Sequence, residues 1–88
     1  MDLGQFNNRE DNKVLAYVVK DENVLGYLYK LEGFFWVGII HASILRGATC
    51  SPNGFISILP SEWEMVRRAT RADFEDFRVC SNGYDLSL

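Results

Sequence analysis

One histidine and two cysteines leave this 88-residue chain short of the side chains that most often bind metals or act as nucleophiles. Cys50 and Cys80 are too few and too far apart for the four-ligand sets of structural zinc. In a reducing compartment they are expected as a pair of buried free thiols. No stretch approaches the roughly 20 apolar residues that span a bilayer. Met1 to Asn12 is polar and lacks the apolar centre of an export signal, so the expectation is a cytoplasmic chain with no membrane contact. A basic excess is missing too: nine Lys and Arg stand against twelve Asp and Glu, a net charge of −3. That balance disfavours general DNA binding through phosphates. It also falls short of the dense carboxylate surface that a nucleic-acid mimic needs.

What is present is the material of a small folded domain. Hydrophobic residues make up 48% of the chain and charged residues 24%, well away from the composition that keeps chains disordered. Residues 1–12, rich in Asn, Asp and Gln, read as a flexible N-terminal tail, and residues 13–88 as a single α+β domain. Lys13 to Lys20 is β-branched and aromatic, a strand by composition. After turn residues at Asp21-Glu22-Asn23, Val24 to Leu31 alternates, with Leu25, Tyr27, Tyr29 and Leu31 on one face. Glu32-Gly33 is a tight break, Gly33 supplying the positive φ of a two-residue hairpin, so the next strand, Phe34 to Ile40, should pair antiparallel with it. That strand is apolar on both faces and reads as the central one, with Gly38 marking a bulge or a close backbone approach.

Residues 46–54 form the longest stretch without periodicity and end in Ser-Pro-Asn-Gly, a loop with turn chemistry. A short strand follows at Phe55 to Leu59. Ser61-x-x-Glu64 matches a capping box, and Trp63, Val66, Thr70, Phe74 and Phe77 recur at spacings of 3, 4, 4 and 3. Together they predict a helix from Ser61 to about Phe77, with Thr70-x-x-Asp73 as an alternative cap for a shorter one. Asn82-Gly83 predicts a hairpin at the end of the chain, with Tyr84, Leu86 and Leu88 on its buried face. The fold class is therefore α+β: a curled antiparallel sheet of four to six strands, an SH3-like or OB-like partial barrel being the candidate geometry, with one C-terminal helix.

No nucleophile elbow, phosphate-binding loop or dinucleotide fingerprint occurs. A small hydrolase would have to use His41 beside Ser43, Ser51, Cys50 or Cys80, an outside reading, and the chain is not expected to be an enzyme. Asp73, Glu75 and Asp76 alternate with Arg71 and Arg78, which favours a salt-bridged helix face over a metal site, and no cofactor is implied. Arg67, Arg68, Arg71 and Arg78 define an alternative patch for single-stranded nucleic acid, opposed by the carboxylates interleaved with them.

Two Trp, four Tyr and six Phe exceed what so small a core can cover. Aromatics and arginine carry binding energy at protein interfaces. The leading expectation is thus a non-enzymatic protein-binding module, an inhibitor or accessory subunit of a larger assembly. Its contact residues are expected at Arg46, Thr49 and Asn53 in the loop and at Tyr27, Tyr29 and Trp36 on the strands. Size alone raises the reading of a phage or mobile-element protein that blocks a host machine.

Overall fold

The computed structural model describes residues 1–48 and 54–88. Five antiparallel strands form one open sheet: β1 (Ala16–Lys20), β2 (Val24–Leu31), β3 (Phe34–Ala42), β4 (Phe55–Ile58) and β5 (Val66–Arg68). Their spatial order is β4-β3-β2-β1-β5, so the first four make a meander and the fifth returns to lie beside the first. The sheet is curled but not closed, with β4 and β5 as its edges. Among the described residues there is a single α-helix, α1 (Arg71–Asp76), which follows β5.

The two hairpin turns are built as local chemistry requires. Asp21 and Glu22 both take positive φ (54° and 57°), as do Glu32 and Gly33 (53° and 83°). These are the paired left-handed conformations whose twist matches that of antiparallel strands. Register then follows the alternation of apolar residues, with Tyr29 opposite Trp36 and Tyr27 opposite Gly38. The register shifts between Leu25 and Gly26, where a Cβ on Gly26 would come within 2.4 Å of the Gly38 carbonyl oxygen.

Each face of the sheet has its own core. On one, Val18, Leu28, Phe35, Val37, Ile58 and Val66 are buried together with Leu3 and Phe6. Residues 1–12 are therefore not a flexible tail throughout: Leu3–Phe6 forms a 3₁₀ turn capped by Asp2, and the two apolar side chains of that turn are inserted under the sheet. Their burial removes apolar surface from water, which opposes the entropy cost of ordering the segment. On the opposite face Val19 and Leu25 are covered by Phe74 and Phe77 of the helical region, with Tyr17, Tyr84 and Leu86 packed around them.

The long helix expected over Ser61 to Phe77 is three elements. Pro60–Met65 is a 3₁₀ helix, Val66–Arg68 is β5, and only Arg71–Asp76 is α-helical. The apparent stripe is split between the two faces, since Trp63 and Val66 belong to the first core and Phe74 and Phe77 to the second. The edge of β1 explains the break: Val18, Val19 and Lys20 pair with Arg68, Arg67 and Val66, giving backbone groups of β1 the partners that a helix would have withheld. Capping shifts accordingly. Glu62 accepts from the Leu59 N–H at 3.1 Å in place of the Ser61-Glu64 pairing. Thr70 and Asp73 form the reciprocal box, with Asp73 N–H to Thr70 Oγ1 at 3.3 Å and Thr70 N–H to Asp73 Oδ2 at 2.8 Å.

The C-terminal hairpin is also absent. Asn82-Gly83 does make a turn, closed by Tyr84 N–H to Ser81 C=O at 3.1 Å with Gly83 at φ +88°, but no strand flanks it. Val79, Tyr84 and Leu86 pack onto Phe74 and its neighbours instead of pairing with each other, so burial outweighs the local hairpin preference. Cys80 is a free thiol and exposed, contrary to the expected buried one; Cys50 lies outside the described residues.

Candidate protein-binding face

Alternation along β2 places Leu25, Tyr27, Tyr29 and Leu31 on one side of the sheet, and cross-strand pairing brings Trp36 and Gly38 of β3 and Phe55 of β4 to the same side. Because α1 is only six residues long, it covers just the end of this face that carries Val19 and Leu25. No described element covers the other end. There Asn12, Val14, Tyr27, Tyr29, Leu31, Trp36 and Phe55 line a shallow groove of about 430 Å³.

The rings in this groove hold one another. Tyr27 and Tyr29 stack with centroids 5.7 Å apart and planes at 30°, and Phe55 meets Trp36 edge-on at 5.6 Å. Offset stacks and edge contacts are the favoured aromatic geometries. Gly38 makes room for this packing, since a Cβ there would fall 2.0 Å from Tyr27 Cζ. Burial, and then the neighbouring Tyr27, push the Tyr29 phenol above its usual value, so it stays neutral. The Trp36 Nε1 donor is shielded from solvent and lacks a hydrogen-bond partner among the described residues. Leaving such a donor unpaired costs roughly 1–3 kcal/mol.

Three of the expected contact residues, Tyr27, Tyr29 and Trp36, are thus brought together. Phe55 joins them without having been singled out in the sequence; strand alternation from Phe55 to Leu59 was its only signal. Phe34, 61% exposed, likewise stands at the uncovered end, opposite Leu31. Arg46 is not part of this groove. It closes a 3₁₀ turn, Ile44–Arg46, and its guanidinium lies 4.7 Å from the centroid of the Phe77 ring, with Nη1 donating to the Glu22 carbonyl at 3.4 Å. Thr49 and Asn53 lie outside the described residues.

The arginines expected as a nucleic-acid patch are divided among other tasks. Arg67 bonds Asp73 through both terminal nitrogens, at 2.8 and 2.7 Å, and Glu22 through Nε at 2.7 Å. That clamp holds the Asp73 carboxyl down at about 2 and raises the already high Arg67 value. Arg68 donates to the Leu88 carbonyl and sits near the Phe6 ring, while Arg71 and Arg78 are exposed. Glu64, four residues before Arg68 in the sequence, lies in a different element from it, a 3₁₀ helix against a strand, so the two do not form a helical ion pair.

His41 is exposed at the end of β3, its ring edge-on to Phe77 at 5.9 Å. Ser43 and Asp76 line the same notch, but among the described residues no hydrogen bond joins either to His41, the contact a nucleophile and base require. No group of three or more His, Cys, Asp or Glu among the described residues is placed to hold a metal ion, and no described helix is long and apolar enough to cross a membrane. Comparison with known protein families, with curated proteins and with solved structures finds no match to this chain.

Proposed function

We propose that the chain is a non-enzymatic protein-binding domain that engages its partner through the uncovered aromatic half of the sheet. The observation that carries this reading is the convergence of Tyr27, Tyr29, Trp36 and Phe55 in one groove on the sheet, with no Lys, Arg, Asp or Glu among the described residues that line it. Aromatic clusters depleted of charge are characteristic of interface centres, where they supply large contact area at low cost in side-chain entropy. The Trp36 indole N–H, without a hydrogen-bond partner among the described residues, adds a donor that a partner's carbonyl can satisfy once the rings adjust. On this reading the protein acts in the cytoplasm as an inhibitor or accessory subunit of a larger assembly.

Stacking rings also suit single-stranded nucleic acid, but such sites combine rings with a cationic track along the backbone. The groove lacks that track, and Arg67 is already committed to two carboxylates. The test is parallel affinity capture from the native host with the wild-type chain and a Tyr29→Ala/Trp36→Ala variant as baits, at low and high salt. The expected result is a protein retained at high salt and lost with the variant. Capture that is indifferent to the variant, or that disappears with nuclease and salt, overturns the reading.

A further inference from the structure

A second surface, sharing no lining residue with the aromatic groove, has a different chemistry. At the end of β3 the chain turns through the 3₁₀ segment Ile44–Arg46, presenting Ile44, 81% exposed, and a fully exposed Leu45. Adjacent apolar side chains this exposed lie outside the ordinary pattern of singly scattered surface residues. Beside them is a notch of about 390 Å³, whose walls include Leu45, Arg46, Asp76, Phe77 and Arg78.

Two arginines line this notch. Neither Arg46 nor Arg78 is in a salt bridge with any described carboxylate. Arg46 is held in place by the Phe77 ring and by the Glu22 carbonyl, and its backbone carbonyl accepts from the Asn23 side-chain amide at 3.4 Å. A guanidinium stacked on an aromatic face keeps its remaining N–H groups oriented for a planar acceptor. Arg78 follows the C-cap of α1 at φ +58°. Asp76 is the only carboxylate among the described residues that line the notch, so cations outnumber anions in that lining although the whole chain is net acidic.

We propose that this notch and the Ile44-Leu45 knob form a docking site for an acidic segment of a partner protein, with carboxylates received by Arg46 and Arg78 and an apolar side chain packed on Leu45. Charge complementarity selects the segment, because elsewhere the net negative chain repels it.

The experiment selects binders from a displayed library of random peptides against the wild-type chain, with counter-selection on an Arg46→Glu/Arg78→Glu variant whose folding is verified by circular dichroism. Expected binders carry Asp or Glu beside Leu, Ile or Phe. Their affinity should fall about tenfold or more on charge reversal and on Leu45→Asp. The same peptides with Lys in place of the acids should recover binding to the reversed variant, and Tyr29→Ala/Trp36→Ala should leave affinity unchanged. No enrichment over the reversed chain, binders without acidic residues, or a folded Leu45→Asp protein that binds as well as wild type overturns the proposal.

Discussion

Tyr27 lies across the backbone of Gly38, so close that any Cβ on the glycine would stand 2.0 Å from the tyrosine ring. The pair face each other on β2 and β3, and the missing side chain is what lets the ring lie down beside Tyr29 as part of the groove. Gly38→Ala should therefore lift Tyr27, at a cost of roughly 1–3 kcal/mol for overpacking. The near-ultraviolet circular dichroism of the tyrosines should change with it. An unaltered spectrum and an unaltered denaturation midpoint would contradict the packing.

Leu3 offers the clearest test of the N-terminal segment. It is fully buried in the core beneath the sheet, so Leu3→Ala should cost about 2–5 kcal/mol in chemical denaturation. A surface tail would tolerate the same change within about 0.5 kcal/mol.

Phe74 tests the opposite face. It is fully buried against Tyr17 and Tyr84, with ring centroids 6.1 and 5.1 Å away. Phe74→Ala should cost about 3–5 kcal/mol, a large share of the stability of so small a domain. A loss below about 1 kcal/mol would place the side chain outside the core.

The Arg67–Asp73 clamp gives stability an acid limb. Arg67 first, and then the Thr70 groups, hold the folded-state Asp73 carboxyl at about 2, against an ordinary 3.8. A depressed acid stabilises the fold above its unfolded value and loses that contribution as pH falls from about 4 toward 2. The contribution is on the order of 2 kcal/mol. Asp73→Asn should flatten that part of a denaturation-midpoint profile against pH; a profile as steep as wild type would mean that other carboxylates carry it.

Glu32 occupies the left-handed region at φ 53°, where a non-glycine residue is strained and asparagine fits better. With Gly33 following, Glu32→Asn creates the preferred pair for this hairpin turn and should stabilise the protein by roughly 0.5–1 kcal/mol. A lower denaturation midpoint would show that the Glu32 side chain contributes more than its backbone strain costs.

The sheet was legible where local signals agreed. Val24 to Leu31 was bounded by turn residues on both sides, and its alternation matches β2 residue for residue. β3 ran two residues past its expected end at Ile40, and β1 began at Ala16 instead of Lys13. Neither difference moved a side chain to the wrong face. The aromatic site was legible in part for the same reason: period-two alternation put Tyr27 and Tyr29 together, and the Glu32-Gly33 turn brought Trp36 opposite. Arg46 was drawn into that site only because a loop and exposed aromatics are both favoured at interfaces, a rule that carries no geometry.

By itself the sequence determined the α+β class, the β2–β3 hairpin and the alternation that builds the aromatic face, since turn chemistry and side-chain period act over a few neighbouring residues. Only the tertiary structure decided that Val66–Arg68 is a strand, that Leu3 and Phe6 belong to the core, and that the chain ends without a hairpin. Each of those outcomes depends on a partner distant in the chain: the unpaired edge of β1, the space beneath the sheet, and the apolar surface around Phe74. Helical periodicity across Ser61 to Phe77 was real as a pattern, but backbone pairing with Val18, Val19 and Lys20 outweighed it, because burying a strand edge without hydrogen-bond partners costs more than a short helix returns.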